Sequence, residues 1–155
     1  MEALMYKTFA DLRAKRAKGD NGFTLIELLV VVVILGVLIA IAIPVYLNYR
    51  KGANDAAAET DVRNAISVLE VCNSGSVYPS QPSAGALSAT PCPGQSITKS
   101  TGTTLSYISN SGATSYVLLG SNTGGAPKYW CYNSSNGGAV AALASAPTSL
   151  TLTTC

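Results

Sequence analysis

Residues 28–43 carry no charged or strongly polar side chain, and the apolar character continues through Val45, Tyr46 and Leu47. At about 1.5 Å per residue, this run of about 20 residues makes roughly 30 Å of helix, the length that crosses a bilayer. The pattern then changes. Ala58, Val62, Ala65, Ile66 and Leu69 recur at three- and four-residue steps, with Asp55, Glu59, Asp61, Arg63, Asn64, Ser67 and Glu70 between them. That spacing predicts an amphipathic helix with one face to cover. A helix over about residues 24–71 follows, apolar all round in its first half and packed on a sheet in its second. Pro44 has no amide hydrogen and crowds the turn before it, which predicts a bend or local melting there, or a break between two helices. Glu59 and Arg63 stand one turn apart, a pair worth a few tenths of a kcal/mol.

Asn73-Ser74-Gly75 closes the helical pattern, and Pro79, Pro82, Gly85, Pro91, Pro93 and Gly94 mark a loop. Strand-like runs follow at residues 104–109, 115–119, 128–132 and 149–153, separated by Asn110-Ser111-Gly112, residues 120–127 and Asn136-Gly137-Gly138. Residues 139–146 fit either a short strand or an alanine-rich excursion. Leu150 and Leu152 alternate with Ser149, Thr151 and Thr153, which predicts a strand whose buried face lies on the Val62, Ile66 and Leu69 side of the helix. The expected fold class is α+β: a long N-terminal helix on an antiparallel meander of about four strands.

Charge refines this picture. Of a net +2 over 155 residues, all of it resides in residues 1–22, where Lys7, Arg13, Lys15, Arg16 and Lys18 outnumber Glu2, Asp11 and Asp20. Residues 23–155 are formally neutral, so the basic character speaks for orientation across a membrane and not for a nucleic-acid patch. A basic segment before an apolar run predicts that residues 1–22 stay cytoplasmic and that the part beyond Leu47 is exported. Cys72, Cys92, Cys131 and Cys155 all lie in that part, and with no histidine in the chain they read as disulfides and not as a zinc site. Of three possible pairings, Cys72 with Cys92 and Cys131 with Cys155 close local loops and tie down the last residue, each contributing about 3 kcal/mol on loop entropy.

From residue 71 onward there is no Asp or Glu, and Lys99 and Lys128 are the only charged side chains. General acid–base catalysis and a hard-cation cage have almost nothing to work with, so the expectation is a protein that is not an enzyme and holds no cofactor or metal. Tyr129, Trp130 and Tyr132 form the aromatic cluster of the exported part, read either as core packing against a sheet and a disulfide or as a surface binding patch. Tyr46 and Tyr49 suit a membrane-interface belt or subunit contacts. Asn133-Ser134-Ser135 matches the weak three-residue glycosylation pattern.

Glu27, between Leu25-Ile26 and the apolar run, is the one charge in this apolar setting. A carboxylate in hydrocarbon costs about 3 kcal/mol on insertion scales, less toward the interface, so it needs a partner, and its place in the first turn suits the helix dipole. The stretch Gly22-Phe23-Thr24-Leu25-Ile26-Glu27-Leu28 resembles the processing and assembly motif of type IV pilins. The resemblance implies a prepilin peptidase cut between Gly22 and Phe23, methylation of the new amino terminus on Phe23, and subunit packing guided by Glu27. Pro44 falls where pilins commonly bend the helix. Its detail covers roughly residues 21–49.

On that resemblance, residues 1–22 are a removable leader, 23–49 a transmembrane and assembly helix, and 50–155 an exported pilin domain. The chain would be a single-pass cytoplasmic membrane protein first and a subunit of an extracellular pilus filament afterwards, serving adhesion, motility or DNA uptake. Its partners would be identical or related pilins, the peptidase, the inner-membrane pilus assembly machinery, and a surface or DNA met by the filament. Two alternatives stand beside this. One is a minor pilin or pseudopilin of a secretion or DNA-uptake system, although the missing carboxylates depart from the major pseudopilins, which typically bind calcium near the carboxyl terminus. The other is a secreted or anchored binding module with an ordinary signal peptide, cut after Ala40-Ile41-Ala42 to begin at Ile43.

Overall fold

The computed structural model describes residues 23–73, 77–126 and 128–155. Residues 1–22, with Gly22, and Ser74 and Gly75 lie outside the described residues. Helix α1 runs Leu25–Cys72 and contains Pro44. Helical structure is continuous through the proline, so neither the local melting nor the split into two helices is found. The contacts divide into two compact units, one ending at Pro44 and one from Val45 to Cys155, and each is described by itself.

Among the described residues, the first unit holds Phe23, Thr24 and the start of α1 as far as Pro44. The large apolar side chains of residues 25–47 are exposed, and even Val30 is 47% exposed. The helix has a mean hydropathy of 3.3 in its most apolar window, long and apolar enough to cross a membrane.

In the second unit the remainder of α1 buries Asp55, Ala58, Asp61, Val62, Ala65 and Leu69, one stripe at three- and four-residue steps. It covers a five-stranded antiparallel meander in sequential order: β1 (Gly85–Ala86), β2 (Thr103–Ser109), β3 (Tyr116–Asn122), β4 (Tyr129–Asn133) and β5 (Ala141–Leu143). Residues 139–146 thus resolve as a short strand. In β2, Thr103, Leu105, Tyr107 and Ser109 are buried and their neighbours less so, the period-two signature of a strand with one covered face. Across the β2–β3 ladder, Leu105 stands opposite Gly120 and Tyr107 opposite Leu118. These side chains meet Val62, Ala65 and Leu69 of the helix and close the core together with Leu87, Ile97 and Tyr116.

Two sequence expectations need correction. Gly120, expected to open a turn, lies inside β3, which continues to Asn122. A Cβ there would collide with the Cγ2 of Val62 and stand 3.2 Å from the Cδ2 of Leu105, so a glycine is what lets helix and sheet close. Residues 149–153 are not a strand. Their polar groups close locally: the Thr151 amide donates to the Thr154 hydroxyl at 2.9 Å, and the Thr154 amide returns a bond to the Thr151 carbonyl at 3.1 Å.

The apolar alternation of that segment is satisfied on the other face of the sheet from the one expected. Gly120 faces the helix, so Val117 and Cys131, on positions of opposite parity in the paired strands, face away from it. Both are nonetheless fully buried. The Cys131–Cys155 bridge and a 3.0 Å bond from Asn133 Nδ2 to the Leu152 carbonyl bring the carboxyl-terminal segment over that outer face, where Leu150 and Leu152 are half-buried.

Candidate functional site

At the start of α1 the sequence Thr24-Leu25-Ile26-Glu27 forms a reciprocal capping box. The Thr24 amide and hydroxyl both donate to Glu27 Oε2, at 2.8 and 2.7 Å, and the Glu27 amide donates to the Thr24 hydroxyl at 3.3 Å. This arrangement satisfies helix-terminal donors that have no intrahelical partner and places the negative charge at the positive end of the dipole. It also occupies one carboxylate oxygen and fixes the direction of the other. Phe23 precedes the box and is 77% exposed. The partner that the apolar setting of Glu27 calls for is thus found within its own chain.

In the second unit Cys72 is bridged to Cys92 and Cys131 to Cys155, with Cα separations of 5.8 and 5.9 Å. The first bridge joins the end of α1 to the loop ahead of β2, and the second joins a central strand to the last residue. The aromatic cluster divides by strand parity. Trp130, opposite Gly120, and Tyr132, opposite Leu118, pack against the core on the helix side. Tyr129 stands half-buried on the other face, so the three rings do not form one patch. Asn133 of the glycosylation pattern is buried, donates to Leu152 and accepts from the Ser135 amide at 3.0 Å. Its amide nitrogen is engaged in the fold.

The residues that sequence reasoning passed over are three carboxylates of the helix. Asp55 accepts from the Ala126 amide at 3.3 Å, at the β3–β4 turn. Asp61 accepts from the amide and hydroxyl of Ser100, at 2.8 and 3.2 Å, just before β2. Glu70 accepts the hydroxyls of Tyr78, at 3.0 Å, and Tyr116, at 3.1 Å. Tyr116 is fully buried and packs against Tyr78, Tyr107 and Tyr132 with ring centroids 4.6 to 5.7 Å apart. Burial, and then the nearby charge of Glu70, pushes the Tyr116 phenol up, while burial lifts Tyr107 to about 12. The signal was present for Asp55, which lies three residues before Ala58 and seven before Val62 and so on the buried stripe itself. Among the described residues no cluster of three metal-ligating side chains occurs.

Comparison with known proteins meets this geometry at the amino terminus. Residues 17–43 match the family described as the prokaryotic N-terminal methylation motif. Over this amino-terminal part the chain is similar to type IV pilins. It is 46% identical over 59 residues to the major component of a type IV narrow pilus of Thermus thermophilus, which covers 36% of this chain and 48% of that one. It is 50% identical over 50 residues to a fimbrial protein of Pseudomonas aeruginosa, 32% of this chain and 28% of that one. It is also 40% identical over 68 residues to the type II secretion system core protein G of Vibrio cholerae, 42% of this chain and 45% of that one. The chain thus spans less than half the length of these curated relatives. No solved structure matches it. The pilin likeness in fold is the long helix laid on an antiparallel meander.

Proposed function

We propose that this pilin is a structural subunit of a type IV pilus filament, made with the leader 1–22, cut between Gly22 and Phe23, and methylated on Phe23. The observation that carries the reading is the apolar helix of residues 25–47, exposed on all sides and opened by the Thr24–Glu27 box inside the motif. Such a helix is stable in lipid before assembly and among identical helices after it, because both surround it with apolar neighbours. With Oε2 of Glu27 occupied by Thr24, Oε1 is left to receive the freed amine of Phe23 from a neighbouring subunit. In a low-dielectric bundle that pair sets the axial stagger of the helices. Pro44 would accommodate curvature in the bundle. The domain 50–155, braced by its two bridges, would coat the filament and meet surfaces or DNA there. Its role is architectural and not catalytic.

A second reading, a pseudopilin of a secretion machine, is favoured by the likeness to the secretion protein of Vibrio cholerae. It shares the processing and differs in fibre length. Mass spectrometry of the amino-terminal peptide from native cells tests both. A start at Phe23 supports them, and loss of sheared fibres in a Glu27→Ala variant supports assembly through Glu27. Abundant long fibres speak for the pilus, and scarce short ones for the pseudopilin. A start at Ile43 would leave a secreted binding module, and an intact Met1 a permanent anchor.

A further inference from the structure

The carboxylates of the second unit are turned inward or already engaged. Asp55 and Asp61 are buried and hold loop amides, Glu59 pairs with Arg63, and Glu70 takes the hydroxyls of Tyr78 and Tyr116. Formal neutrality therefore conceals exposed cations that, Arg63 apart, have no acidic partner among the described residues. Lys128 is exposed and makes no ion pair among the described residues. Beside it, at the β3–β4 turn, lies a cavity of about 290 Å³ lined by Ser121, Thr123, Gly125, Lys128 and Tyr129, among others.

We propose that this cavity binds a single carboxylated sugar ring, a uronate. Tyr129 supplies a rigid apolar wall, since its backbone is paired to Leu143 and its ring lies on the sheet face away from the helix. A sugar lays its C–H face on such a ring and turns its hydroxyls sideways. The Ser121 hydroxyl is held in place by Thr104 Oγ1 at 3.1 Å, and with Thr123 it lines the same cavity. Lys128 meets the carboxylate, a charge-assisted contact stronger than a neutral one. The volume stands at the lower limit of ordinary ligand pockets, which fits one ring and not a chain of them. Nucleic acid fits less well, because a polyanion draws its affinity from several phosphate contacts and this pocket presents one lysine. Every described residue that lines the cavity comes from one subunit.

The test is a titration of the full-length protein in detergent micelles with glucuronate, followed by saturation-transfer NMR, with glucose and acetate as controls. Glucuronate is expected to saturate at least about tenfold more tightly than either control. Lys128→Met and Tyr129→Leu should each weaken it by about tenfold or more, with the Trp130 emission unchanged as a check on folding, while Lys99→Met leaves binding as it was. Equal binding of acetate, retention of affinity in Lys128→Met, or no saturation at high millimolar glucuronate would each overturn the assignment.

Discussion

Gly120 and Val62 provide a quantitative test of how the helix meets the sheet. A Gly120→Ala substitution places a methyl group against the Cγ2 of Val62, with the Leu105 Cδ2 at 3.2 Å and the Ala58 carbonyl at 3.5 Å closing the other sides. Replacing a strand glycine would by itself stabilise by about 0.4–1 kcal/mol through the unfolded chain, but overpacking a filled site costs about 1–3 kcal/mol, so a net loss of about 1–2 kcal/mol is expected. Val62→Ala removes two buried methyl groups at about 0.8 kcal/mol each, plus a cavity contribution, for a loss of about 2 kcal/mol. Together the two changes should cost less than their sum, because the methyl lost from residue 62 vacates the space that residue 120 fills. A favourable coupling of about 1–2 kcal/mol follows. The assay is urea unfolding of the four proteins in detergent with disulfides intact, read by Trp130, the sole tryptophan and the cross-strand neighbour of Gly120. Additivity within about 0.5 kcal/mol would refute direct contact between these two positions.

Other outcomes follow from the buried polar groups. Asp61→Ala strips the Ser100 amide and hydroxyl of their acceptor and should cost about 1–3 kcal/mol in the same urea assay. Asp61→Asn keeps an acceptor oxygen and should lose less than half as much, and equal losses would refute the hydrogen-bond account. Tyr107 is fully buried and titrates near 12 in the fold against an ordinary 10 when unfolded. The unfolded chain then binds fewer protons above pH 10, so the contribution is complete below about pH 10 and falls as pH rises toward 12, by about 2–3 kcal/mol. A urea midpoint constant from pH 9 to about 11.5, or its absence of change in Tyr107→Phe relative to the parent, decides the matter: a flat parent profile refutes it, and a profile unaltered by the substitution assigns the effect elsewhere.

The amino-acid sequence determined what depends on neighbours along the chain. The apolar run, the period of Ala58, Val62, Ala65 and Leu69, and the alternation in β2 each follow from local spacing, and each element occurs within a residue or two of its expected place. The motif at Gly22, Phe23 and Glu27 was legible for the same reason, since recognition of it needs only contiguous residues. Tertiary structure decided what depends on the opposite side of a contact. β1 is two residues without alternation and exists because Gly85 and Ala86 pair with Tyr107 and Ser106. Gly120 reads locally as a turn and is a strand residue because Val62 occupies the space of its missing side chain. Leu150 and Leu152 alternate as a strand does, but both edges of β4 are taken by β3 and β5, so the bridge from Cys131 sets the segment over a face and its amides turn to threonine oxygens. Asp55, Asp61 and Glu70 look like a solvated helix face until loops bring Ala126 and Ser100, and strand β3 brings Tyr116, to them. A carboxylate in sequence carries no mark of whether water or a buried donor will satisfy it, because burial is set by what packs across from it.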